Sequence, residues 1–213
     1  MNRALIVLGG EAPERTFLRK LAATCDFVLC ADSGLDAALM ADIRIDGVIG
    51  DFDSAKPTSV EYMNSHEIPH IVYPSIKDDT DGMACVRFII EKKPTEVVLT
   101  GASGGRFDHH LANFQLLIYL EKQGVHACIA EEAMTGWAVN RKKTIVGNVG
   151  DLLSVLQISD RLCVSEEGVF YPLDHHDFEL GYPLGVSNVL TEREACVTVH
   201  EGWALVLHYP AKK

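Results

Sequence analysis

The sequence has few basic residues and no long apolar run. Nineteen lysines and arginines stand against 30 aspartates and glutamates, which gives a formal net charge of -11. A surface of that sign repels nucleic-acid phosphates and anionic membranes, so we expect neither as a partner. No stretch reaches the roughly 18 apolar residues of a membrane-spanning helix. The first residues also lack the basic start and long apolar stretch of a signal peptide.

The six cysteines form no C-x-x-C pair and are scattered along the chain. That pattern provides neither a zinc-ligand set nor a disulfide framework, and it predicts a disulfide-free, cytoplasmic protein. Apolar residues make up 47% of the chain, enough to fill a core.

Two patterns of apolar residues divide the chain. Through residue 133, short apolar runs such as Phe27–Ala31 alternate with helical patterns, which predicts an α/β domain with a doubly wound, mostly parallel sheet and helices on both faces. From residue 134 the apolar segments are short and separated by Gly, Asp, Asn or Pro, which predicts an antiparallel β-sandwich. Its predicted strands include Leu152–Ile158, Leu162–Glu166, Ala195–Val199 and Ala204–Tyr209. The predicted domains are therefore 1–133 and 134–213.

Acidic residues follow the apolar runs at the points where parallel strands end. Asp32 follows one run, and Asp51 and Asp53 follow the next. Residues two apart on extended chain point the same way, so Asp51 and Asp53 can face one cation. Hard carboxylate oxygens suit Mg²⁺. The alternative is a solvated turn whose aspartates only cap a helix.

A second acidic stretch, Lys77-Asp78-Asp79-Thr80-Asp81, precedes a helical pattern. Asp79 or Thr80 can cap that helix, and we expect Asp81 to reach the same metal. Lys77 either contacts a phosphate or neutralises the acids; the sequence does not decide between the two.

A glycine-rich turn, Gly101–Arg106, follows a strand and opens a helix. Glycines such as Gly101, Gly104 and Gly105 let the backbone approach a phosphate, and the helix N-terminus offers free N–H groups. Arg106 adds a planar cation suited to phosphate. No Gly-Lys-Ser/Thr follows, so this is not a Walker A loop. Three further polar residues at the start of the helix could line the same pocket: Asp108, His109 and Asn113.

Taken in order, these motifs resemble the thiamine pyrophosphokinase (thiamin diphosphokinase) family. The matching pieces are Ala31–Gly34, Gly50–Ser54, Lys77–Asp81, Gly104–His109 with Asn113, Tyr171–Leu173 and Gly185–Asn188. The resemblance implies a thiamine diphosphokinase, an enzyme that transfers a diphosphate from ATP to the hydroxyl of thiamine and releases AMP. It also implies a homodimer, with thiamine at the dimer interface near the Ser187–Asn188 turn of a neighbouring subunit.

The resemblance also implies roles for individual residues. Asp51, Asp53 and Asp81 correspond to the Mg²⁺ ligands, and Asp32 is similar to a further active-site acid. Arg106 and Asp108 fall on positions that the family uses in its nucleotide and substrate site. Relatives often have Asp-Gly-Gly where this chain has Asp32-Ser33-Gly34. Relatives also stack an aromatic residue on thiamine, for which the candidate here is Tyr182.

Three other functions remain open at this point. A related diphosphokinase could act on another hydroxymethyl heterocycle, such as a pterin. A phosphatase with an aspartyl nucleophile would use Asp51-Phe-Asp53, although Ala55 departs from the usual D-x-D-x-T/V motif. A nucleotide-sensing module would bind metal and ATP without releasing AMP. The sequence does not identify a general base; Asp32 and Asp108 are both candidates.

Overall fold

The computed structural model describes residues 1–73 and 79–211. The chain divides into two units, Met1–Glu132 and Ala133–Lys213. Within the described residues, no helix is long and apolar enough to cross a bilayer.

Strands and helices alternate through the first unit. The strands are β1 (Arg3–Val7), β2 (Phe27–Ala31), β3 (Gly47–Gly50), β4 (His70–Val72), β5 (Glu96–Thr100) and β6 (His126–Glu131). The helices are α1 (Arg15–Ala22), α2 (Gly34–Ala41), α3 (Pro57–Ser65), α4 (Asp81–Glu91) and α5 (Phe107–Lys122). The ends of these helices are set by local chemistry: Pro57 opens α3, and the Thr80 hydroxyl accepts the Met83 N–H at 3.2 Å to cap α4.

The six strands of this unit are all paired in parallel, in the order β4-β3-β2-β1-β5-β6. The inner strands are almost wholly buried because helices cover the sheet, which accounts for their unbroken apolar runs. The chain adds strands on one side of β1 as far as β4 and then crosses to the other side at β5. Ligands in such sheets bind beyond the carboxyl ends of the strands at that reversal. The predicted α/β class is confirmed.

The second unit consists of antiparallel strands. They are β7 (Met134–Val139), β8 (Lys142–Val146), β9 (Leu152–Glu167), β10 (Leu173–Asp177), β11 (Asn188–Val189) and β12 (Glu194–Tyr209). The two 16-residue strands β9 and β12 pair with each other along almost their whole length. β8 pairs with the first half of β12 and β7 with the second half. One buried apolar cluster, which includes Ile145, Val155, Val164 and Val206, draws on both halves.

The structure corrects the sequence interpretation of this unit in two places. Segments predicted as separate strands, Leu152–Ile158 with Leu162–Glu166 and Ala195–Val199 with Ala204–Tyr209, are the single strands β9 and β12. The apolar pattern breaks because the pairing shifts near Gly202, whose φ is +84° and whose missing Cβ would lie 1.8 Å from the Arg161 carbonyl.

Candidate active site

A pocket of about 730 Å³ lies at the carboxyl ends of the strands of the first unit. Residues following β1, β2, β3 and β5 line it, together with the start of α4 and one face of α5. Its polar lining includes Asp32, Ser33, Asp51, Asp53, Asp79, Thr80, Asp81, Arg106, His109 and Asn113. Most of the residues predicted from the sequence for the nucleotide and metal site therefore face a single cavity.

Three carboxylates in this pocket come close together. Asp32, Asp51 and Asp53 each offer an oxygen, and these oxygens all lie within 4.8 Å of one another. The backbone around them is unusual, since Asp32 has φ +46° and Phe52 has φ +63°. Non-glycine residues rarely adopt that conformation, and it tends to persist at functional sites. The backbone is thus locally strained where these three carboxylates come together.

Asp32 is the buried member of this acid cluster and is only 8% exposed. Its Oδ1 is buried and has no hydrogen-bond partner among the described residues. Burial raises the pKa of the Asp32 carboxyl, and the nearby charges of Asp81 and Asp51 raise it further. A buried, unpartnered carboxylate oxygen facing two more carboxylates is a fit for a divalent cation, which would satisfy the oxygen and cancel the repulsion. The resemblance alone implies that Asp32 is a further active-site acid and not one of the Mg²⁺ ligands.

The stretch before α4 separates into distinct roles. Thr80 provides the cap, and Asp79 pairs with Arg87 at 3.0 Å. Asp81 is the first residue of the helix and lines the pocket, but it does not belong to the group of three close carboxylates. Lys77 and Asp78, also singled out in the sequence, lie outside the described residues.

The glycine-rich turn is held from several sides. The Glu131 carboxylate accepts the N–H groups of Gly101 at 3.3 Å and Ala102 at 2.8 Å. Asn113, predicted to face the nucleotide, donates its side-chain amide to the Ala102 carbonyl at 2.8 Å. Gly101 has φ +64°, and a Cβ on it would lie 2.5 Å from the Leu8 carbonyl. Gly101 therefore shapes the turn and does not line the pocket, whereas Gly104 and Gly105 do.

Arg106 and Asp108 form an exposed bidentate pair beside the pocket. Arg106 donates from Nη2 to Oδ2 at 2.6 Å and from Nε to Oδ1 at 3.1 Å. The Arg106 hydrogen bonds lower the pKa of Asp108 to about 2. A carboxylate with so low a pKa is a poor proton acceptor at neutral pH, which argues against Asp108 as the general base.

The residues predicted to bind thiamine lie in the second unit. Tyr182 is exposed, and the Ser187 N–H donates to the Ser154 hydroxyl at 3.0 Å. Asn188 is buried; its amide donates to Glu166 at 3.2 Å and to the Tyr171 carbonyl at 2.9 Å, while its oxygen accepts two backbone N–H groups. Asn188 could contact a substrate only by giving up one of these bonds.

The profile of the thiamin pyrophosphokinase catalytic domain matches residues 18–129, which is more than half of the chain and covers the acid cluster and the glycine-rich turn. The chain belongs to the thiamin pyrophosphokinase family. The predicted family is thus confirmed, and with it the prediction that the protein is an enzyme.

Named relatives carry the same description. The chain is 35% identical to thiamine pyrophosphokinase of Bacillus subtilis (strain 168) over 86 residues, which is 40% of each protein. It is 23% identical to thiamine pyrophosphokinase 3 of Oryza sativa subsp. japonica over 92% of this chain and 82% of the relative. The alignment thus spans less than half of the Bacillus relative and most of the rice one.

Solved structures of the thiamin pyrophosphokinase family share the fold. The structure from Bacillus subtilis superposes with a TM-score of 0.87 at 24% identity, covering 99% of this chain and all of that one. The structure from Candida albicans gives a TM-score of 0.85 at 15% identity, covering 99% and 89%. At these identities the likeness establishes the fold alone.

Sequence reasoning missed two parts of this candidate site. Gly9, Gly10 and Glu11, which follow β1, line the pocket. The Gly-Gly pair after an apolar run was the available signal. Glu131, at the end of β6, gave no local signal, because its role depends on β6 lying beside β5.

Proposed function

We propose that this protein transfers a diphosphate from ATP to the hydroxyl of thiamine, giving thiamine diphosphate and AMP. One observation carries the proposal: an acid cluster with an unpartnered buried oxygen on Asp32 shares a pocket with Gly104, Gly105 and Arg106. Clustered carboxylates suit a metal, and an arginine beside glycines suits an anion, in a member of the thiamin pyrophosphokinase family. Phosphoryl-type transfers need little beyond such positioning and charge stabilisation.

The residues of the chain divide the work. Asp32, Asp51 and Asp53, with Asp81 beside them, would hold Mg²⁺, which when bound neutralises phosphate oxygens and supports in-line transfer. Arg106 would bind phosphate oxygens, and the Gly104–Gly105 backbone lets the phosphates approach closely. Asp108 holds Arg106 in place. His109 lines the nucleotide pocket, and Tyr182, Ser187 and Asn188 are the proposed thiamine contacts.

The proposal also includes a homodimer and a cytoplasmic location. Large apolar side chains are exposed in the second unit between residues 170 and 186, among them Phe170, Tyr171, Leu180 and Tyr182. Exposed apolar groups of this size are commonly covered by a partner, here a second copy of the chain. Sedimentation at micromolar concentration should give twice the chain mass of 23.4 kDa.

The direct test is to mix protein, ATP, Mg²⁺ and thiamine and to measure AMP and thiamine diphosphate. Equal amounts of both products are expected. Replacing thiamine by a hydroxymethyl pterin should give no AMP above background. AMP release with the pterin but not with thiamine would indicate the related diphosphokinase. ATP binding without AMP release from either acceptor would indicate a nucleotide sensor.

A substitution tests the metal assignment. Asp53→Asn should reduce turnover by about 10²–10³-fold, since a preorganised electrostatic group is lost. The matched control is Asp42→Asn, because Asp42 is exposed and makes only a surface ion pair with Arg19 at 3.4 Å. Both variants should unfold at the wild-type temperature. Normal magnesium-dependent turnover by Asp53→Asn would contradict the assignment.

A further inference from the structure

The carboxylate of Glu131 accepts hydrogen bonds from the end of β5 and from the first two residues of the glycine-rich turn. Glu131 ends β6, and its side chain reaches across the end of the neighbouring strand β5. Besides the N–H groups of Gly101 and Ala102, it accepts the Thr100 hydroxyl at 3.3 Å. Thr100 and Ala102 are almost fully buried. Two adjacent backbone N–H groups in a buried turn therefore rely on one side chain.

The backbone carbonyls of Gly101, Ala102 and Ser103 also have partners. The Gly101 carbonyl accepts the Gly10 N–H at 2.9 Å, and the Ser103 carbonyl accepts the Glu11 N–H at 2.7 Å. Asn113 holds the Ala102 carbonyl. From Gly101 to Ala102 every backbone N–H and carbonyl thus has a partner outside the turn, and the chain enters Gly104–Gly105 from a fixed starting point.

We propose that Glu131 is a positioning residue for ATP: it fixes Gly101–Ala102 so that Gly104, Gly105 and Arg106 face the phosphates. This inference rests on the proposed function, because it assumes that these three residues bind ATP. Glu131 does not line the pocket and acts through the turn. Without its carboxylate, two buried N–H groups lose their acceptor, and the turn relaxes to recover a partner elsewhere. Loss of an outer-shell support of this kind typically costs about 10–100-fold in affinity or activity.

The substitution Glu131→Gln tests this role with little change in shape. The glutamine amide oxygen can accept a hydrogen bond from only one of the two N–H groups, and the glutamine NH₂ group then faces the other N–H group. A matched control is Glu121→Gln. Glu121 also accepts a backbone N–H, that of Ala127 at 3.0 Å, but it lies near the amino end of β6, away from the pocket. Glu131→Asp, whose shorter side chain keeps the charge, is a second variant in case Glu131→Gln does not fold.

Two measurements are made on each full-length variant. The first is binding of a non-hydrolysable ATP analogue with Mg²⁺, and the second is steady-state kinetics with ATP and thiamine varied in turn. Glu131→Gln should weaken analogue binding and raise the KM for ATP by about tenfold. The KM for thiamine should stay within twofold, and Glu121→Gln should match wild type. A residue with only a structural role would lower the unfolding temperature without separating the two KM values.

The outcomes distinguish the inference from the function on which it rests. Wild-type protein that binds the analogue but makes no AMP from thiamine overturns the proposed reaction, while Glu131 is still judged by analogue binding. Wild-type affinity for the analogue in Glu131→Gln, or an equal loss in Glu121→Gln, overturns the positioning role. A wild-type protein that binds no analogue overturns both.

Discussion

Each unit of the molecule buries a carboxyl group that has an oxygen without a hydrogen-bond partner in the part of the chain that the structure describes. In the first unit it is Asp32, and in the second it is Glu166, which is 1% exposed. Burial raises the pKa of both groups, that of Glu166 to about 7. The surroundings differ, however. Asp32 faces two more carboxylates in an open pocket, whereas Glu166 is closed in and contacts the neutral amide of Asn188.

The difference shows that the neighbours of a buried carboxyl group decide how its charge is compensated. A cluster of carboxylates open to solvent attracts a cation, because each oxygen gains a ligand and the repulsion disappears. A single buried carboxyl group that contacts only a neutral amide among the described residues has no second carboxylate to share a cation, and taking up a proton removes its buried charge. We therefore expect Asp32 to act as an anion in function and Glu166 to be protonated in the folded core below about pH 7.

The largest expected effect is that of Asp32→Asn, a neutral replacement of nearly equal shape. If Asp32 binds the metal as an anion, turnover should fall by about 10²–10³-fold. Unfolding in metal-free buffer should not become easier, because the substitution removes a repelled charge. Steady-state AMP release and thermal unfolding with a chelator measure the two effects. A fully active Asp32→Asn protein would show that the charge of Asp32 is not needed for activity, and the contrast with Glu166 would disappear.

A third buried carboxylate, Asp151, differs from both because hydrogen-bond donors surround it. It accepts the His208 ring nitrogen at 2.9 Å and the backbone N–H groups of Asn148 and Ala211, each at 2.8 Å. Burial raises the pKa of Asp151, but these bonds outweigh burial and leave the pKa lowered. Asp151 is thus stabilised as an anion by donors, whereas at Asp32 burial and the charges of Asp81 and Asp51 outweigh the hydrogen bonds from Ser33 and Ser54 and leave the pKa raised.

Asp151→Asn should therefore destabilise the protein, because its NH₂ group opposes one of the three donors. We expect a loss of about 2–3 kcal/mol in the free energy of unfolding. Urea unfolding at neutral pH measures it, with Asp160→Asn, an exposed change on β9, as the control. A loss equal to that of the control would show that donors around a buried carboxylate contribute little here.

The sequence was informative where function depends on local order. Apolar runs predicted the strands of the first unit. The acids and glycines that follow these runs predicted the candidate site, because parallel strands place their carboxyl ends at one edge of the sheet. What the sequence could not provide depends on contacts distant along the chain. Glu131 matters only because β6 lies beside β5, and Asn188 is engaged only because Glu166 and Tyr171 fold against it. The sequence predicts two segments in place of each of the strands β9 and β12 for the same reason. The pairing shifts register within these strands, and the alternation of apolar residues is interrupted there.

The smallest expected effect concerns the pH dependence of stability, through Glu166→Gln. The ordinary pKa of a glutamate is 4.5, and that of Glu166 in the folded protein is about 7. Between these values the folded protein keeps a proton that the unfolded chain has lost, so Glu166 makes stability fall as pH rises. The slope is about 1.4 kcal/mol per pH unit, and it ends above pH 7, where both states are ionised.

Glu166→Gln stays neutral at every pH, so the difference between wild type and variant isolates this one group. Urea unfolding at pH 5, 6, 7 and 8 should show wild type losing stability relative to Glu166→Gln up to pH 7 and then running parallel to it. The neighbouring Glu167→Gln is the control, because Glu167 is exposed and should not change the slope. Turnover by Glu166→Gln at neutral pH should stay near wild type, in contrast to Asp32→Asn. Curves parallel throughout would mean that Glu166 is ionised in the core, and its buried oxygen would then need a cation, as we propose for Asp32.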